Sequence, residues 1–232
     1  MFRRAIKLSV FVLIGCVFFA GAIWLLEMAL EDRESKYAGK TVSEWVAGLQ
    51  SADMATAASA RATITNRVIP ALCDRMFNDT NDSQIKLKLV ESLNSLPWGF
   101  VNAAEAPFRR QQAALDLGAF GANAATAIPE LIRCAKSEDF ARGGAIEALG
   151  KIHSEPSVVV PFLMVCLDDP DEDIKIHATE ALTEFGPLAK PAVPKLIPLL
   201  KFHSKELPYL TRKALEAIEP GALSTNRSSA GQ

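Results

Sequence analysis

The chain has 232 residues, 49% of them apolar, and a formal charge of −2 at pH 7. That length and apolar share suffice for one compact domain or a short repeat array with its own core. The near-neutral balance gives no support for the attraction of a whole domain to nucleic acid, which wants a strongly basic face.

The chain opens with Arg3, Arg4 and Lys7, then runs without a charge from Leu8 to Leu26. A helix of that length crosses a hydrocarbon layer of ~30 Å. Residues 8–30 are therefore expected to be a transmembrane signal anchor, with 1–7 a cytoplasmic tail and 31–40 a linker. The basic flank before the span places the remainder on the exported side, periplasmic or extracellular. Three alternatives stay open. A secretory signal could be cut after Ala20-Gly21-Ala22, although Ile23-Trp24-Leu25-Leu26 continues the apolar run. Leu13-Ile14-Gly15-Cys16 resembles a bacterial lipobox, which makes a lipoprotein at Cys16, although an apolar stretch follows where a polar tether belongs. The segment could also be a merely buried helix. The other cysteines are Cys73, Cys134 and Cys166. None of the four forms a C-x-x-C pair, and no disulfide framework is expected.

From residue 41 to about 221 the chain repeats itself. Ile69-Pro70, Ile128-Pro129, Val160-Pro161 and Val193-Pro194 each open an apolar run, and the last three prolines are spaced 32 and 33 residues apart. A second motif keeps the same period: Leu117, Leu149, Leu182 and Leu215. Three residues past each stands Phe120, Ile152, Phe185 or Ile218, and four before each stands Ala113, Ala145, Ala178 or Thr211. Proline suits the first turn of a helix, and the apolar spacing is helical. Each unit therefore reads as two helices. The units are 41–66, 68–96, 127–153, 159–186 and 192–219, with an irregular stretch at 97–121: a loop from Pro97 to Pro107, then an extra helix near 108–121 without a clear first helix. Asp169 is expected to cap a helix that has Pro170 in its first position. Gly121, Gly150 and Gly186 are expected at helix ends, and residues 222–232 form a polar, disordered tail. Such a unit buries its apolar face only by stacking on the next.

No catalytic constellation emerges. Carboxylates at 169, 171, 173 and 180 approach a calcium-loop pattern, but Ile174 holds the place of the required glycine. Gly144 to Gly150-Lys151 has the wrong spacing for a phosphate loop, and Ile152 replaces the hydroxyl residue. His153, His177 and His203 share no metal-ligand spacing. Cys134 and Cys166 are equivalent positions in successive units and read as packing. Arg110, Arg142 and Lys175, spaced 32 and 33, form a cationic ladder. Trp98 and Phe100 sit in the irregular loop, where solenoids often place binding residues. They serve either as contacts or as a plug.

The motif from Ala145 to Ile152 (A-x-x-A-L-G-x-I), followed by an I/V-P-x-L opening, resembles HEAT repeats, in particular the alanine-rich arrays of bacterial proteins. Tyr37 to Trp45 looks like the lead-in of such arrays. The resemblance implies an all-α, right-handed α-solenoid behind one membrane helix. It implies a non-enzymatic scaffold for protein–protein interaction, with no cofactor, metal, nucleic acid or small-molecule substrate. HEAT units often carry a basic residue that bonds to the turn of a neighbouring unit, which is one reading of the ladder. The other is an exposed stripe for an acidic partner. The candidate partner contacts are thus Trp98, Phe100, Arg110, Arg142 and Lys175. Alternatives are a HEAT-like lyase acting on a pigment-bearing protein, or a nucleic-acid-binding module.

Overall fold

The computed structural model describes residues 35–80, 106–137 and 140–223. Ten α-helices lie among them: α1 (Val42–Leu49), α2 (Met54–Thr63), α3 (Ile69–Asn78), α4 (Ala106–Ala119), α5 (Ile128–Ala135), α6 (Arg142–Ile152), α7 (Pro156–Cys166), α8 (Glu172–Phe185), α9 (Val193–Leu199) and α10 (Glu206–Ile218). The described residues contain no strand; one isolated bridge, Tyr37 to Lys40, closes a turn at the start.

Local chemistry sets the helix limits. Thr41 and Glu44 form a reciprocal capping box on α1, which satisfies two of the amide donors that a helix start leaves free. Pro70 and Pro129 stand at the second position of α3 and α5, where a missing N–H costs nothing. Between α2 and α3 the chain does not leave the helix. It widens into a π turn over Ile64–Val68, ahead of a proline that cannot donate back along the helix. Short 3-10 turns at Gly121–Ala127 and Gly186–Ala192 join α4 to α5 and α8 to α9. Gly121 (φ +53°) and Gly186 (φ +50°) begin them in the left-handed region, which glycine enters without a Cβ clash.

Helices α4, α6, α8 and α10 lie side by side in one row, and α3, α5, α7 and α9 each pack on the α4, α6, α8 or α10 that follows. This is a stack of helix pairs, an α-solenoid architecture. The repeated leucines explain it. Leu117, Leu149, Leu182 and Leu215 are all 0% exposed, and Ala113, Ala145, Ala178 and Thr211 are equally buried. Burial of each leucine is worth about 1.5–3 kcal/mol. Helix α4 packs on α3, and residues 81–105 between them lie outside the described residues.

Two glycines let helices approach backbone to backbone. A Cβ on Gly118 would lie 3.0 Å from Ala148 Cα, and one on Gly150 would lie 2.8 Å from Ala181 Cα. Gly150 is therefore a contact residue and not a helix end. That helix runs on to Ile152 and is closed by His153, which takes the left-handed conformation itself (φ 50°) and stacks on Phe185 with ring centroids 4.9 Å apart. Asp171, not Asp169, caps α8, its side chain accepting from Asp173 N. Asp169 is occupied elsewhere, and Pro170 lies before the helix. Ile146 shares a helix stripe with Gly143 and Gly150, which both face α8. Its equivalents are Thr179 and, on α10, the exposed Arg212. The stripe that is apolar on α6 thus becomes charged on α10.

The expected membrane localisation is corrected. Among the described residues no helix is long and apolar enough to cross a membrane. The longest, α4 and α8, have 14 residues, about 21 Å at 1.5 Å per residue against a layer of ~30 Å. The expected anchor at 8–30 lies outside the described residues, as do residues 224–232 of the tail expected at 222–232; Ala222 is buried.

Candidate functional site

Helix α4 begins close behind α3, and its arginines close on the end of that helix. Arg110 Nη1 donates to the Asp79 carbonyl at 2.8 Å. Arg109 grips the Asp79 carboxylate with Nε and Nη2, both at 2.8 Å. One repeat on, Arg142 Nε donates to the Ala135 carbonyl at the end of α5 (3.3 Å) and Nη2 to Asp169 at 2.5 Å. In the next, Lys175 Nζ donates to the Asp169 carbonyl. Arg110 and Arg142 thus bond carbonyls at the ends of α3 and α5, where a cation also meets the negative end of the helix dipole, and Lys175 bonds one in the turn after α7. Arg142, through Asp169, also reaches on to the following pair. The ladder is thus tied into the fold and is not an open stripe.

Asp169 is the hub. Burial disfavours its charge, but the Asp171 amide, which donates at 3.0 Å, and the Arg142 guanidinium outweigh that and hold its carboxyl below the ordinary carboxylate value. Two carboxylates of the acidic stretch are therefore already engaged, Asp169 with cations and Asp171 as a helix cap. Cys73 and Cys166 have thiols pushed up to about 11, mainly by burial. That opposes a nucleophilic role near neutral pH.

The structure places Arg142 and Lys175 together at Asp169 and puts Arg110 at a separate turn. Trp98 and Phe100 lie outside the described residues. What the sequence reading missed lies at the start of α6 and α8. A cleft of about 550 Å³ is lined by Gln111, Phe140, Arg142, Gly143, Asp171, Asp173, Ile174 and His177. Its floor comes from two tight fits. A Cβ on Gly143 would fall 2.8 Å from the His177 ring, and one on Gly144 would fall 2.9 Å from Gln111 Cγ. His177 Nδ1 is buried and has no hydrogen-bond partner.

Phe140 lines the cleft and Phe108 packs against it, the two 53% and 50% exposed, ring edge to face with centroids 5.0 Å apart. They are 32 residues apart, the repeat spacing, so equivalent positions on consecutive helix pairs are both aromatic. About half of each ring's ~150–250 Å² stays uncovered, worth roughly 2–3 kcal/mol per ring if a partner buried it. The period was the signal that could have found them. Residues 108 and 140 sit five before Ala113 and Ala145, Phe108 in the first turn of α4 and Phe140 just before α6.

Residues 101–183 match the family model described as HEAT repeats, and the described part of that span, α4 to most of α8, is built of helix pairs of this kind. No curated protein sequence matches the chain. Among solved structures, the complex of CpcE and CpcF of phycocyanin lyase from Nostoc sp. PCC7120 is similar at 20% identity and a TM-score of 0.49, with 84% of this chain and 72% of that one covered. An engineered protein is similar at 20% identity and a TM-score of 0.43, with 78% and 97% covered.

Proposed function

We propose that the helix pairs serve as a non-enzymatic protein-binding scaffold, and that the partner docks at the cleft beside α6 and α8, which Phe140 lines with Phe108 packed against it. The observation that carries this reading is the aromatic pair: two large rings repeat at equivalent positions, half uncovered, next to a concave surface. Exposed aromatics beside a cleft supply the anchors that carry most binding energy at protein interfaces. The stacked pairs supply a rigid frame for them. The cationic ladder enters this reading as the brace that holds each pair together, with Arg142 also forming one wall of the cleft.

The test is photocrosslinking in cells. A photoreactive phenylalanine analogue at position 140 or 108 should give one discrete adduct of a single partner. The same analogue at Tyr209, exposed on the last pair, should not. Adducts of equal yield and identity from all three positions, or none from 108 and 140, refute the assignment.

A further inference from the structure

We infer that the segment docking in the α6–α8 cleft is cationic, a peptide that presents lysine or arginine next to an apolar side chain. The inference rests on the cleft being a protein-docking site and adds the chemistry of the partner.

The wall charges decide the sign. Arg142 is already neutralised by Asp169, so it offers little net charge to a ligand. Asp171 and Asp173, on the opposite wall, are exposed. Asp171 spends one oxygen on the Asp173 amide and keeps its second free, and a carboxylate accepts several donors at once. An incoming ammonium or guanidinium would meet these carboxylates and the Phe140 ring, whose face attracts cations. An apolar neighbour in the peptide would cover the uncovered ring area and Ile174. An acidic peptide would meet two like charges without a free cation to offset them.

The arrangement is particular to this joint. At the next one, between α8 and α10, the equivalents of Gly143 and His177 are Ile176 and Leu210, and those of Phe140 and Asp171 are Asp173 and Ser204. A side chain stands there in place of the bare glycine, and the position of Phe140 carries no ring.

A phage-displayed library of random dodecapeptides, panned on the full chain and counter-selected against its Phe140→Ala variant, tests this. The best binders are then made as fluorescent peptides and titrated by anisotropy. Asp171→Asn keeps a capping side chain, so the Asp171→Asn/Asp173→Asn variant removes charge with the cap in place; its far-ultraviolet melting curve checks folding. Phe140-dependent peptides enriched in lysine or arginine, at least tenfold weaker on the double variant and weakened by added salt, support the inference. Phe140-dependent peptides that are neutral or acidic, or that bind the double variant equally, overturn the cationic assignment and leave the docking site standing. If no peptide depends on Phe140, both fail.

Discussion

Replacing Gly150 by alanine sets two known effects against each other. In a helix interior, glycine to alanine ordinarily gains about 1 kcal/mol. Here the new methyl would lie 2.8 Å from Ala181 Cα, 3.0 Å from its Cβ and 3.5 Å from its carbonyl oxygen. Ordinary carbon contacts lie near 3.5–4.0 Å, so α6 and α8 must separate by several tenths of an ångström or more, and no flexible side chain can yield instead. Overpacking of this kind costs typically 1–3 kcal/mol; against rigid backbone the upper end applies. The net expectation for Gly150→Ala is a loss of about 2 kcal/mol, a fall in Tm of roughly 4–8 °C for a domain of this size. Urea titration of the purified chain, followed by circular dichroism at 222 nm, measures it. Gly143→Ala is the internal comparison, because its methyl meets only the His177 ring, which can swing, and its loss should be smaller. A Gly150→Ala protein as stable as the parent would refute the backbone-to-backbone joint on which the account of this stack depends.

Other measurements probe other parts. Thr211 is 0% exposed and its hydroxyl has no partner, at a position where the other repeats carry alanine; Thr211→Ala should raise the urea midpoint, by about 1 kcal/mol of stability, and a loss would contradict the unpaired hydroxyl. The Asp169 carboxyl titrates below its ordinary value, so its stabilising effect is complete above about pH 4 and is lost as pH falls through the lower native value. The urea midpoint should therefore drop more between pH 7 and pH 3 in the parent than in Asp169→Asn, and equal drops would count against the hub. The Cys166 thiol, at about 11, is thiolate in only about one molecule in a thousand at pH 8. Iodoacetamide should label it far more slowly in the folded chain than in urea, and equal rates would mean the burial is absent.

Period and burial are tightly linked in a stack, which is why Leu117, Leu149, Leu182 and Leu215 were legible from spacing alone. Every repeat faces the same problem, so the solution recurs. The lead-in was legible for a similar reason: Trp45 donates to the Tyr37 carbonyl at 2.7 Å, a contact within nine residues. Gly150 was misread because a glycine near a helix end and a glycine at a helix contact look alike in sequence; only the neighbouring backbone distinguishes them. Asp169 gave way to Asp171 as a cap because Arg142, 27 residues away, claims it. The cleft was hidden for the same cause. Phe140 stands before α6, Asp171 caps α8 and His177 lies on it, and what makes them a site is the absence of a side chain at Gly143, a property of the space between helices.

Thr183 stands where Gly118 and Gly150 stand in the two preceding repeats, its hydroxyl turned back to the Thr179 carbonyl at 2.8 Å. A branched side chain fills the room into which the next backbone could sink. The joints from α4 to α6 and from α6 to α8 are therefore keyed main chain to main chain, while the joint to α10 is cushioned by side chains. The cleft thus lies at a joint where two main chains meet, not at the cushioned one.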